Sequence, residues 1–190
     1  MGIIILLVSC GQNYTPLPHG FFRIDLPEPT YQLSDTTFPF YFEYSNNAEL
    51  LGSVHNPNEK YWVNIVYPQF KAKVYLSYKS VDGNLITYLE DAYTLVSKHI
   101  PKADAITDSV IVNDSRNVYG LTYTIVGSGA ASPFQFFVTD SSSHFLRGAL
   151  YFDIVPNNDS LEPVIDFITK DIKHLINTLE WNDAAVESRN

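Results

Sequence analysis

The amino-acid sequence predicts an α+β domain in which an antiparallel β-sheet is covered by helices on both faces, a three-layer sandwich. Three observations lead there. First, the stretch Ser132 to Asn158 holds two aromatic-rich segments, Phe134 to Thr139 and Phe145 to Val155. Between them lie the turn formers Asp140, Ser141, Ser142, Ser143 and His144, the pattern of a β-hairpin. Second, these segments are apolar on both faces. Leu146, Leu150, Phe152 and Ile154 point one way, and Phe145, Ala149, Tyr151 and Val155 the other, as in a mid-sheet strand with cover on both sides. Third, a helix follows the hairpin. After Asp159 and Ser160, the expected N-cap, residues Leu161, Val164, Ile165, Ile168, Ile172, Leu175, Ile176 and Leu179 recur at three- and four-residue steps. They form one stripe roughly 100° wide. Pro163 is placed in the first turn, where its missing N–H costs little.

The remaining elements follow in chain order. Gln12 to Thr37 carries Pro16, Pro18, Pro27 and Pro29 with little periodicity, and Gly11 to His19 reads as a partly extended tether. Phe21, Phe22, Ile24 and Leu26 are the first segment expected to dock on the fold. Phe38 to Tyr44 reads as a strand near a sheet edge, because Pro39 cannot donate to a ladder. Ser45 to Glu59 reads as a long polar connection. Tyr61 to Tyr67 and Phe70 to Lys79 are strands joined by Pro68 and Gln69; the second sets Ala72, Val74, Leu76 and Tyr78 against Lys71, Lys73 and Tyr75. Asn84 to Ile100 is a helix with the stripe Leu85, Leu89, Ala92, Tyr93, Val96 and Ile100, stopped by Pro101. Ala105 to Val112 and Tyr119 to Val126 are two more strands, and Gly127-Ser128-Gly129 breaks the second. Residues 182–190 are polar and read as a disordered tail. One domain over residues 21–181 accounts for all of this.

Composition narrows the function classes. A chain of 190 residues with 45% hydrophobic content can bury a sizeable core. A net charge of −9 argues against nucleic acid, whose phosphates need a basic footprint, and against electrostatic docking to anionic lipid. With a single cysteine, no intrachain disulfide is possible.

That cysteine is the most informative residue. The apolar run Ile3 to Val8 is followed by Ser9, Cys10 and Gly11, the end of an export signal. Leu7-Val8-Ser9-Cys10 resembles the lipobox of bacterial lipoproteins, which makes residues 1–9 a signal peptide and Cys10 the lipidated N-terminus after cleavage. The run is short and no Lys or Arg precedes it, so the start at Met1 is read as late, with a basic region upstream. The mature chain then has 190 − 9 = 181 residues, with residues 10–20 as a lipid-anchored tether. Each buried acyl methylene contributes ~0.8 kcal/mol, so several chains anchor durably.

Chemistry-bearing patterns are sparse. The histidines His19, His55, His99, His144 and His174 never fall at HxH or HxxxH spacing, so no metal site or cofactor is expected. Gly127 to Ser132 is Gly/Ser-rich, but no Lys follows, and a bend between strands is the better reading. Asp140, Ser141 and His144 bring an acid, a hydroxyl and an imidazole together, yet neighbours on one turn rarely reach triad geometry. Asp153, Asn157, Asn158 and Asp159 match no calcium loop. Arg147 sits inside an apolar strand and must find an acceptor, with Asp140, Glu43 and Asp25 as the expected carboxylates. It reads either as half of a structural ion pair or as an arginine that binds a partner or ligand.

Several stretches carry a family resemblance. They are Pro18 to Ile24, Leu76-Ser77-Tyr78-Lys79, Asp91-Ala92 with Lys98-His99 and Lys102-Ala103, Gln135 to Ser141, His144 to Phe152, Pro156-Asn157, Asp159-Ser160, and Thr178-Leu179 with Trp181. Through them the chain resembles the gliding-motility lipoprotein GldD family of Bacteroidota. The order of strands, helix, meander and C-terminal helix is also similar to the PsbP/Mog1-like fold. The GldD resemblance implies a cell-envelope lipoprotein required for gliding and linked to type nine protein secretion. It implies no known enzymatic activity or catalytic residues. The leading reading is a non-enzymatic envelope component acting through other gliding or secretion envelope proteins, with Asp140, Ser141, His144 and Arg147 as candidate partner-binding residues. The alternative is a small-ligand-binding protein or hydrolase using the His144/Arg147 region. The uncharged Gly11-Gln12-Asn13-Tyr14-Thr15 after the cysteine points to a periplasm-facing, membrane-held protein.

If Cys10 is the anchor, Cys10→Ala leaves an uncleaved or soluble species that incorporates no labelled acyl chain. Retained lipid label in that variant would end the lipoprotein reading.

Overall fold

The structure, a computed structural model, describes residues 25–53 and 59–187. The lipidation site Cys10, the tether and the docking residues Phe21, Phe22 and Ile24 lie outside these residues. In chain order the strands and helices are β1 (Tyr31–Leu33), β2 (Phe40–Tyr41), β3 (Glu43–Ser45), β4 (Glu49–Gly52), β5 (Val63–Tyr67), β6 (Ala72–Ser80), α1 (Leu85–Ser97), β7 (Ala105–Asn113), β8 (Val118–Val126), β9 (Phe134–Thr139), β10 (His144–Phe152), α2 (Asn158–Thr178), β11 (Glu180–Trp181) and α3 (Ala184–Glu187). Seven strands form one antiparallel sheet in the order β4-β5-β6-β10-β9-β8-β7. The hairpin β9–β10 is central, and β9 is buried along its whole length. This is the expected α+β sandwich, with α2 on one face of the sheet and α1 on the other.

The larger core lies under α2. Val164, Ile168, Ile172, Leu175 and Ile176 pack against Val74, Leu76, Leu146, Leu150, Phe136 and Val138 from β6, β10 and β9. Phe40 and Phe42 fill the rest of that face. Gly148 makes room here: a Cβ on it would lie 2.1 Å from the Phe136 ring, directly across the ladder. The smaller core joins Ala92 and Val96 of α1 to Phe137, Phe145, Tyr123 and Ile125.

Several expectations are corrected. Phe38 to Tyr44 is not one strand of the main sheet. It splits at Phe42 into β2, paired with β11, and β3, paired with β1. The first strand of the sheet is instead β4, inside the stretch read as a polar connection, because Leu50 and Leu51 are too short a run to stand out among Asn and Glu. β10 ends at Phe152, so Ile154 and Val155 are exposed rather than core. Leu26, Tyr93 and Ile100 are exposed as well. The first helix stops at Ser97, and Ile100 belongs to a separate 3₁₀ turn that contains Pro101.

The start of α2 also differs. Asn157, not Asp159 or Ser160, takes the cap position, and it makes no side-chain cap bond. Pro163 therefore lies beyond the first turn, on an exposed face. Asn158 turns inward instead, donating from Nδ2 to the carbonyls of Gly127 at 2.8 Å and Ala130 at 3.0 Å. The Gly/Ser-rich bend is thereby pinned to the helix start.

The expected disordered tail is in part ordered: Asn182 and Asp183 are held against the fold. Asn182 donates its amide N–H to the Pro39 carbonyl and its Nδ2 to the carbonyls of Thr36 and Phe38, and a turn of helix follows. Polar composition concealed this, since the groups that look solvent-loving are the ones making these bonds.

A polar clamp ties the N-terminal strands to α2. Asp171 is buried on the helix and accepts from the hydroxyls of Tyr31 and Tyr67, each at 3.1 Å. Tyr31 stacks on His174 with centroids 3.6 Å apart, and His174 Nε2 lies 2.7 Å from Glu43. Burial pushes the Asp171 carboxyl upward, against the hydrogen bonds from Tyr67, Tyr31 and Ser45 and the nearby His174. Burial and then Asp171 raise Tyr31 to about 12, and raise Tyr67 as well.

Two predictions follow from this packing. Ile172→Ala should cost ~2–5 kcal/mol in urea unfolding, as other core truncations do; a loss below ~0.5 kcal/mol would make the helix peripheral. The second concerns pH. Asp171 ionises near 3.8 when unfolded and higher when folded, so the folded state holds the extra proton. Its contribution is complete below pH 3.8 and is lost as pH rises through the raised folded value. The stability difference between wild type and Asp171→Asn should therefore shift against wild type across that window. A difference flat with pH would show that the carboxyl is not raised.

Candidate functional site

The turn between β9 and β10 places the predicted polar residues, and alternation along β10 then separates them. Asp140 closes the turn by accepting from the amides of Ser142 at 3.1 Å, Ser143 at 2.9 Å and His144 at 2.8 Å. Ser142 Oγ donates to the same carboxylate at 2.7 Å. Burial acts to raise the Asp140 carboxyl, but the Ser142 hydroxyl and the three amides outweigh it, and the net shift is downward. Ser141 adopts φ 71° at the tip, and its amide donates to Thr139 Oγ1 at 2.9 Å. The side chains of Asp140 and Thr139 are thus committed to turn geometry.

His144 faces the α2 side and is 0% exposed. Its Nε2 lies 2.8 Å from Asp183 Oδ1, and its Nδ1 lies 2.8 Å from the Tyr78 hydroxyl. The ring stacks on Trp181 with centroids 4.9 Å apart and planes 7° from parallel. A carboxylate accepts only, so the bond to Asp183 is donated by the His144 Nε2–H. Among the described residues no serine hydroxyl is hydrogen-bonded to this imidazole, so the Asp140, Ser141 and His144 of the sequence pattern do not form a nucleophile–base pair. A partner approaching the turn meets Asp140 and Ser141; it does not reach the His144 ring.

Arg147 lies on the opposite face of the same strand, three residues on, so the His144/Arg147 region is not one site. The expected carboxylates are not its partners. Asp140 caps the turn, Glu43 pairs with His174, and among the described residues no carboxylate reaches Arg147. Arg147 Nη2 donates instead to Gln135 Oε1 at 2.5 Å, and Tyr151 supports it from four residues along the same strand. Gln135 is buried, and its Nε2 has no hydrogen-bond partner. Burial lowers the Arg147 pKa, with Tyr151 acting against that shift.

Sequence reading missed Gln135, Asp183 and Asp171. Gln135 was legible as the lone amide in the strand FQFFVT, on the same face as Arg147. Asp171 was legible too, three residues from Ile168 on the buried stripe. Asp183 carried no signal, since nothing local distinguishes it from other polar residues near the chain end. Among the described residues no group of three or more His, Cys, Asp or Glu is placed to hold a metal ion. No helix among them is long and apolar enough to cross a membrane.

Comparison with known proteins supplies the remaining facts. The fold is similar to the solution structure of cyanobacterial PsbP (CyanoP) from Synechocystis sp. PCC 6803, at a TM-score of 0.48 and 12% sequence identity. That likeness covers 83% of this chain and 95% of the other. No curated protein sequence matches. A family model described as gliding motility lipoprotein GldD matches residues 11–181, which takes in every strand and both long helices. The chain belongs to the gliding motility lipoprotein GldD family.

Proposed function

We propose that this protein is a non-enzymatic, periplasm-facing lipoprotein that serves gliding and type nine protein secretion by binding other envelope proteins, with β7 as the docking edge. The observation that carries this is the character of that edge. β7 is nine residues long and terminates the sheet, so one side of its backbone has no partner strand among the described residues. Natural edges are blunted by Pro, Lys, bulges or shortness. The β7 sequence AITDSVIVN has neither Pro nor Lys, and its nine-residue register with β8 runs without a bulge. Val110 is 72% exposed and Val112 65%. Tyr93 and Ile100 are also exposed and line a separate depression with Ile106 and Asp108 of β7.

A row of free backbone N–H and C=O groups flanked by exposed valines is matched by one kind of occupant, an extended strand of a partner protein added to the sheet. The Cys10 anchor supports the reading, because a nine-residue Gly11 to His19 tether reaches at most ~30 Å at ~3.3–3.6 Å per residue and keeps the domain beside membrane-bound machinery. The sealed environment of His144 also favours binding over catalysis.

A photo-crosslinking residue at position 110 tests this in living cells, with position 170 on the far face as control. Adducts with an envelope protein from 110 but not 170 are expected, and Val110→Lys with Val112→Lys should abolish spreading at unchanged protein level. Full gliding by that double variant would overturn the docking edge.

A further inference from the structure

On the face that α1 covers, the helix leaves a groove over β5, β6 and β10 with a volume of about 490 Å³. Trp62, Tyr75, Tyr88, Leu95, Phe145 and Tyr151 wall it, and the Arg147 side chain lies within it. Volumes of ~300–1,000 Å³, apolar walls and a few converging polar groups are what small-molecule sites share.

The charge arithmetic of the groove is unusual. Lys79 at the rim is already neutralised by Glu59 at 2.6 Å, and its ammonium lies 4.9 Å from the centre of the Trp62 ring. Asp91 also lines the groove, on exposed α1, beyond ion-pair distance of any described cation. Arg147 has only neutral partners, the Gln135 amide oxygen and the Tyr151 phenol. A guanidinium has five N–H donors in a planar fork, so these two partners leave it unsaturated. Its positive charge is felt at a distance: burial and then Arg147 lower the pKa of His99. Across the ladder from Arg147 stands Ser77, whose side chain lines the same groove, as does Asn64 of β5. Beneath it, Gln135 Nε2 is a buried donor with nothing to bond.

Asp91 is exposed to water on α1, where solvent screens its charge, whereas Arg147 is half-buried against the sheet. A half-buried guanidinium beside a hydroxyl and an amide, between apolar walls, selects for a single negative charge presented in a plane. We infer that this groove binds a small organic monocarboxylate with an aromatic or aliphatic body, its carboxylate on Arg147 and its body against Trp62, Tyr75 and Phe145. One guanidinium matches one carboxylate in the two-bonded fork, while a phosphate dianion would leave excess charge in an apolar cleft. The assignment goes beyond the docking role of β7, which lies at the far end of the sheet, and neither depends on the other.

The test uses the soluble mature domain with 4-phenylbutyrate as probe and 4-phenylbutylamine as its cationic counterpart. In ¹⁵N-correlated spectra, titration with the acid should move the Trp62 indole N–H signal, whose donor bonds to the Tyr78 carbonyl at 2.9 Å, and leave that of Trp181 in place. A Kd tighter than ~1 mM is expected for the acid, and none measurable for the amine. Arg147→Gln should weaken the acid ~10-fold or more. Equal binding of acid and amine to the wild-type protein would overturn the assignment, and so would an Arg147→Gln variant that binds the acid unchanged. The wild-type comparison decides the matter even if that variant does not fold.

Discussion

The structure depends on one strand being buried on both faces. β10 lies between β6 and β9, nine residues in register with the first and five with the second. Alternation along it then sorts the chemistry of the molecule, sending His144, Leu146, Leu150 and Phe152 toward α2 and Phe145, Arg147, Ala149 and Tyr151 toward α1. Gly148 is the one position on the α2 side without a side chain. The Phe136 ring occupies that space, and close packing of this kind leaves no slack for a methyl group. The register of the central hairpin is therefore locked by a ring lying over a glycine as well as by its ladder of hydrogen bonds.

The α2 side is the more closely packed, and among the described residues its buried side-chain polar atoms all have hydrogen-bond partners. Asp171 takes two tyrosine hydroxyls, His144 is held between Tyr78 and Asp183, and Asn158 ties the Gly127 bend to the helix start. Each such group would cost about 1–3 kcal/mol if left without a partner, so these bonds mainly prevent a loss. They also order the chain ends. β1 and β3 are fastened through Asp171 and His174, and the segment after Trp181 is fastened through Asp183 and Asn182.

The α1 side is open for a geometrical reason. Seven strands at about 4.8 Å spacing make a sheet roughly 30 Å wide, and one helix about 10 Å across covers only part of it. Beneath α2 the deficit is filled by Phe40 and Phe42 from the N-terminal strands. No such segment is packed over the α1 side among the described residues. What remains uncovered is the groove around Arg147 at one flank and the β7 edge with Val110 and Val112 at the other. For a lipoprotein of the gliding machinery, those two surfaces are where an encounter with another molecule has a physical basis.

The sequence by itself determined the parts whose signal is periodic and local. The hairpin, the C-terminal helix stripe and the alternation of β6 are each legible because neighbouring residues repeat a pattern that only one backbone geometry satisfies. Tertiary structure alone decided what depends on contacts between distant segments. The stretch Phe38 to Tyr44 has the composition of a sheet strand, yet its aromatic rings gain more by plugging the face beneath α2 than by extending the ladder. His144 and Arg147 are neighbours in sequence and strangers in space, because a three-residue step along a strand reverses the face. Arg147 found an amide rather than a carboxylate because Gln135, twelve residues away, is the polar group that the β9–β10 register brings beside it. Asp183 acquired its role only when the chain end folded back over Trp181, a long-range pairing that no window of local sequence encodes.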